Sequence, residues 1–203
     1  MKNNYLVYDL LCVISLALLT QCATNSDTDK NAQTATVKAE FGGFDSQVAW
    51  GAHLVKVLGC NDCHTPKKMT TQGPVDDTTL LLSGHPENMP APDVDHKAME
   101  KKGLVVTTTL TAWVGPWGIS YAGNLTSDAT GIGNWQESNF INAIRHGKFK
   151  GIENARTLLP PMPWQGYRFM TDDELKAVFA YLKSTKPVKS LFPAAEPPAL
   201  AAK

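Results

Sequence analysis

Leu10 to Leu19 is an apolar run broken only by Ser15. It is shorter than the ~20 residues that span a bilayer and has the length of the apolar core of an export signal. Residues 23–44 are polar, without periodic apolar positions, and predict a flexible tether. A helical period then begins after Asp45 or Ser46, either of which can cap it: Val48, Ala52, Val55 and Gly59 recur at helical spacing and lead to Cys60. Gly51, a poor helix former, predicts close packing against another helix at that point.

A second helix is predicted from near Asn134 to Gly147, with Asn134 and Glu137 as a capping box, Phe140, Ile141 and Ile144 on one face, and Gly147 closing it. The strongest pattern starts at Thr171-Asp172-Asp173-Glu174, a capping box with acidic residues at the positive helix end. Leu175, Val178, Phe179 and Leu182 form its apolar stripe, Lys183 and Lys186 lie near its other end, and Pro187 stops it. Leu104 to Leu110, rich in Val and Thr, predicts a short strand in an otherwise irregular middle segment. The Pro- and Ala-rich tail, 187–203, reads as largely unstructured.

Hydrophobic residues at 43% and charged residues at 19% fit a folded globular chain of 203 residues. The formal net charge of zero argues against nucleic acid as a partner. Residues 1–21 carry one Lys and one Asp, so removing them leaves the balance unchanged.

The cysteines sort by position. Cys12 lies inside the apolar run. Leu19-Thr20-Gln21-Cys22 resembles the lipobox of bacterial lipoproteins, in which cleavage precedes a cysteine that then carries lipid; Gln21 stands where a small residue is usual. Several acyl chains on Cys22 give stable membrane anchoring. Cys60-Asn61-Asp62-Cys63-His64 is a CxxCH haem-attachment signature. Two intervening residues let both sulfurs reach one edge of a macrocycle, and the adjacent histidine can ligate its iron. A redox dithiol needs a βαβ setting, and a zinc site needs further nearby ligands; neither pattern is present.

For the sixth iron position the sequence points to Met162. Leu159-Pro160-Pro161-Met162-Pro163-Trp164 is stiffened by three prolines, and stiffness lowers the entropy lost when a weak thioether ligates. Met170, at the start of the last helix, reads as a hydrophobic staple, and Met69, Met89 and Met99 as surface or core residues. His53, His85, His96 and His146 read as surface, helix-end or loop histidines. Trp135, Trp164 and Tyr167 are read either as donors to haem propionates or as packing residues, and Arg145 and Arg168 as surface ion-pair residues.

The blocks Gly51–Pro66, Gly123–Trp135, Phe140–Lys148, Pro160–Trp164 and Met170–Ser184 resemble those of bacterial class I c-type cytochromes, and most closely the modules accompanying membrane-associated dehydrogenases of alcohols, aldehydes or nicotinate. The resemblance implies an all-α cytochrome c fold whose N- and C-terminal helices cross beside the haem, Gly51 meeting Phe179, Tyr181 or Leu182. A long irregular insertion over 67–120 is expected to carry a short strand or hairpin. The resemblance implies haem c attached through Cys60 and Cys63, with His64 and Met162 as axial ligands; such modules often occur in multi-haem chains, whereas the single CxxCH here predicts one haem per chain.

The expected organisation is a lipoprotein signal over 1–21, a tether over 22–44, a cytochrome domain over 45–186 and a tail over 187–203. The expected function is one-electron transfer, without enzymatic activity, on the periplasmic side of a bacterial envelope membrane. A dehydrogenase would be the donor, and an oxidase or another cytochrome the acceptor. A haem enzyme or sensor with an open sixth site is the alternative; the Pro-Pro-Met-Pro loop argues against it.

Overall fold

The computed structural model describes residues 40–199. The expected signal and Cys22, and most of the expected tether, lie outside the described residues. Ser46 caps helix α1 (Gln47–Val57), its side chain accepting from Ala49 N at 3.1 Å. Gly59, at φ 68°, breaks the helix and starts a single turn, α2 (Cys60–His64). The helices α3 (His96–Lys102), α4 (Glu137–His146), the one-turn α5 (Trp164–Tyr167) and α6 (Asp172–Ser184) follow.

Helix α4 begins later than its sequence template. Gln136, not Asn134, is the cap, with Asn139 as the reciprocal partner, and Gly147 closes the helix at φ 63°. In α6 the Thr171–Glu174 capping box is present. Helices α1 and α6 meet at Gly51: a Cβ there would lie 2.5 Å from the carbonyl carbon of Ala177 and 2.8 Å from Tyr181 Cβ. Only a glycine lets the backbones approach this closely. Val55, Leu82, Ile132, Phe140, Ile144, Leu175, Val178 and Leu182 form the buried core between α1, α4 and α6.

The expectation of an all-α fold is overturned by two antiparallel hairpins. Strand β1 (Lys67–Thr70) pairs with β2 (Gly73–Asp76). Its polar, exposed strands are held by the Lys67–Asp76 and Lys68–Asp77 ion pairs at 2.5 and 3.0 Å. Strand β3 (Ala112–Gly115) pairs with β4 (Gly118–Tyr121). Every residue from Ala112 to Gly115 is buried, so this hairpin is a structural layer rather than a surface loop. The strand expected over Leu104–Leu110 reduces to a single bridge, Val106 to Val114.

The tail also departs from expectation. Its described residues carry no helix, yet Glu196 pairs with Ile119 on the free edge of β4, each N–H donating to the other's carbonyl at 3.0 Å. Both edges of the buried hairpin are thereby covered, which is how exposed ladder groups are satisfied. The tail's bonds come from residues far away in sequence, which is why its composition does not reveal them.

Candidate functional site

Helix α2, β4 and its following loop, the proline loop and α6 surround one cavity. Cys60, Cys63, His64 and Met162 all line it.

The CxxCH turn is braced from within. Thr65 is fully buried; its hydroxyl donates to Asn61 Oδ1 at 3.0 Å and accepts from Leu82 N at 2.9 Å. Tyr167 OH donates to Leu58 O at 2.6 Å, tying α5 to the chain just before Cys60. Cys60 and Cys63 are free and half-buried. Burial is the main cause that pushes the Cys60 thiol up to about 11, and it raises that of Cys63 as well. Both therefore stay protonated at neutral pH, unlike the low-pKa thiols of redox dithiols. Among the described residues, no group of three or more His, Cys, Asp or Glu side chains is placed to hold a bare metal ion.

His64 Nδ1 lies 2.7 Å from Gly123 O. A carbonyl can only accept, so Nδ1 carries the proton and Nε2 keeps its lone pair. Burial lowers the His64 pKa, the Gly123 bond opposing it in part, and this favours the neutral imidazole. Gly84 N donates to His64 O at 2.8 Å, fixing the backbone as well.

The proline loop is held by β4. Ser120 Oγ donates to Pro160 O at 2.6 Å and accepts from Trp117 Nε1 at 3.0 Å. Leu158 N donates to Gly147 O at 2.7 Å, and Met162 N to Leu159 O at 3.3 Å. Met170, read as a staple, lines the same cavity as Met162 and packs on the same core. Sequence reasoning missed Ser120 and Gly123, whose roles arise from pairing across 40 and 59 residues.

Other candidates fall elsewhere. His53 stacks on Phe44 at 4.8 Å, and His53, His85, His96 and His146 line no part of the cavity. His85 is not a solvated loop histidine: it is fully buried, with Nδ1 2.9 Å from Thr111 Oγ1 and Nε2 2.8 Å from Met89 O. Arg145 pairs with Asp172 and donates to Met170 O at 2.7 Å. Trp135 and Tyr167 line the cavity, whereas Trp164 does not; the buried Trp164 Nε1 has no hydrogen-bond partner among the described residues.

Lys150 and Arg156 line the cavity wall, which among the described residues contains no Asp or Glu. The Arg156 guanidinium lies 4.0 Å from the Phe149 ring centre. Desolvation lowers the Arg156 pKa. Among the described residues, neither cation has a carboxylate ion-pair partner.

No protein-family model matches the chain. It is 42% identical over 67 residues to the gluconate 2-dehydrogenase cytochrome c subunit of Pantoea cypripedii, covering 32% of this chain and 14% of that protein. It is 36% identical over 86 residues to the fructose dehydrogenase cytochrome subunit of Gluconobacter japonicus, covering 41% and 17% of the two chains. It is 39% identical over 75 residues to the cytochrome c subunit of the quinone-linked alcohol dehydrogenase of Gluconacetobacter polyoxogenes, covering 36% and 15%. The chain thus spans less than a fifth of the length of each of these relatives, and what it shares with them is a segment similar to cytochrome c subunits of dehydrogenases.

Proposed function

We propose that this chain is a mono-haem c-type cytochrome that carries one electron at a time. The observation supporting this most directly is that both CxxCH cysteines and His64 line one mainly apolar cavity, with His64 held as the tautomer whose Nε2 can ligate iron. The wall fits a haem in polarity and charge. It is mainly apolar and carries two cations lacking carboxylate partners among the described residues, and a haem carries two carboxylates. The thiols of Cys60 and Cys63 would attach the macrocycle, and Lys150 and Arg156 would hold its carboxylates.

Bound haem supplies ferrous–ferric one-electron chemistry, and a methionine ligand raises its potential. Met162 takes the distal position in this reading because its loop is pinned at Pro160 by Ser120 and stiffened by three prolines. The chain's own residues keep the cavity apolar, orient the imidazole and hold the thioether; no bond of a substrate is made or broken. The similarity to dehydrogenase cytochrome subunits supports a dehydrogenase as donor; an oxidase or another cytochrome would be the acceptor.

Lipidation at Cys22 would tether the domain to a bacterial envelope membrane on its periplasmic side; the apolar run Leu10–Leu19, followed closely by Cys22, supports this. Cys22→Ser should release a soluble, spectrally intact cytochrome, and an unacylated wild-type N-terminus by mass spectrometry would remove the lipoprotein reading. The test of the haem assignment is acid–organic extraction after expression with cytochrome c maturation. Haem peroxidase staining should remain on the polypeptide in a denaturing gel; freely extractable haem would overturn the assignment.

A further inference from the structure

We propose that the C-terminal segment 187–199 is a strap belonging to the haem site, and that its Phe192 is a positioning residue holding the Gly123 carbonyl against His64. This rests on the haem reading above.

The strap is fastened at both ends. Towards its start, Asn124 Nδ2 donates to Val188 O at 2.8 Å, Val188 N donates to Thr126 Oγ1 at 3.2 Å, and Ser190 N donates to Thr130 Oγ1 at 3.0 Å. Towards its end it is zipped onto β4 by the Ile119–Glu196 pair. Between these fastenings Phe192, Pro193 and Ala195 line the cavity. The Phe192 ring faces the side of Gly123 where a side chain would project: its ring carbons lie 3.5 and 3.6 Å from where a Cβ would stand.

Gly123 is therefore flanked on two sides. On one side Ala122 N donates to Thr111 O and His85 N donates to Ala122 O, both at 2.9 Å. On the other lies the Phe192 ring, with the neighbouring Asn124 bonded to the strap. A metal-ligating histidine takes its tautomer and orientation from the group that accepts its second ring proton. Here that acceptor is a backbone carbonyl, so what moves Gly123 moves the imidazole. Proline at 187 and 193 reduces the freedom of the detached strap and thus favours its docking.

The test uses the full chain carrying haem, with Phe192→Ala, the conservative Phe192→Leu, and a truncation after Lys186. The readout is solvent exchange of the His64 Nδ1 proton by NMR in the ferrous protein. Phe192→Ala and the truncation should accelerate exchange at least tenfold, and Phe192→Leu should restore it to near wild type. Wild-type exchange in Phe192→Ala, whatever its melting temperature, overturns the proposal and leaves the strap a purely structural cover. If the truncated chain does not accumulate, the Ala and Leu variants decide. If the wild type carries no covalent haem, the haem reading itself fails. The strap's hold on His64 is then read from imidazole nitrogen shifts in the haem-free chain. Wild type should hold a single Nδ1–H tautomer and Phe192→Ala a mixture; a single tautomer in both overturns the positioning role.

Discussion

The crossing of α1 and α6 carries a sharp energetic consequence at Gly51. Substituting Gly51→Ala adds one methyl group, which in an open helix position would stabilise by about 1 kcal/mol through backbone entropy and propensity. Here the added Cβ would approach the Ala177 carbonyl carbon to 2.5 Å, and the carbonyl oxygen still more closely, whereas real Cβ contacts do not fall below 3.0 Å. The obstacle is helical backbone, not the end of a flexible side chain, so the helices must part by at least 0.5 Å. A gap of about 0.5–1 Å forfeits a quarter to a half of each dispersion contact across it. Val55, Val178 and Leu182, all buried, belong to the core cluster between these helices. Overpacking of this kind costs about 1–3 kcal/mol, and its sign is opposite to the propensity gain. Urea unfolding followed by far-ultraviolet circular dichroism should show a lower midpoint at unchanged slope, a net loss of up to about 2 kcal/mol. Stability equal to or above wild type would refute the close crossing as the reason for this glycine.

Two further outcomes follow from charged and titratable groups. Burial lowers the His85 pKa, so the folded chain binds fewer protons than the unfolded one near its ordinary value of 6.5; this stabilisation is present above that value and lost as pH falls through it. The loss is up to about 1.4 kcal/mol per pH unit. His85→Gln should flatten urea-unfolding stability between pH 7 and 5.5, and equal slopes in wild type and variant would contradict this. In a Lys150→Gln, Arg156→Gln double variant the haem carboxylates lose their cations and their pKa values rise. The midpoint potential should then fall with pH across pH 5–8 more steeply than in wild type; equal dependence would remove these residues from the site.

Local signals carry much of the helical frame. Ser46 and the Thr171–Glu174 box are short-range hydrogen-bonding devices, and Gly51 declares a close approach before any partner is visible. The CxxCH turn is equally legible, because its chemistry is fixed by spacing. The α4 start is ambiguous in sequence because Asn134–Glu137 and Gln136–Asn139 offer the same spacing, and the structure uses the second. The β1–β2 hairpin is too short and polar to show alternation, its pairing resting on Lys67–Asp76. His85 and the strap mislead a sequence reading for one shared reason. Their burial depends on partners such as Thr111, Asn124 and Ile119, remote in sequence.

Met162 and Met170 line the same cavity, so the axial assignment turns on which sulfur reaches iron. The most direct measurement is the near-red sulfur-to-ferric-iron charge-transfer band in purified wild type, Met162→Ala and Met170→Ala. The band is expected in wild type and Met170→Ala and should be lost in Met162→Ala, which should also bind carbon monoxide readily once reduced. Persistence of the band in Met162→Ala, or rapid carbon monoxide binding by the wild type, would contradict a closed His64–Met162 electron carrier.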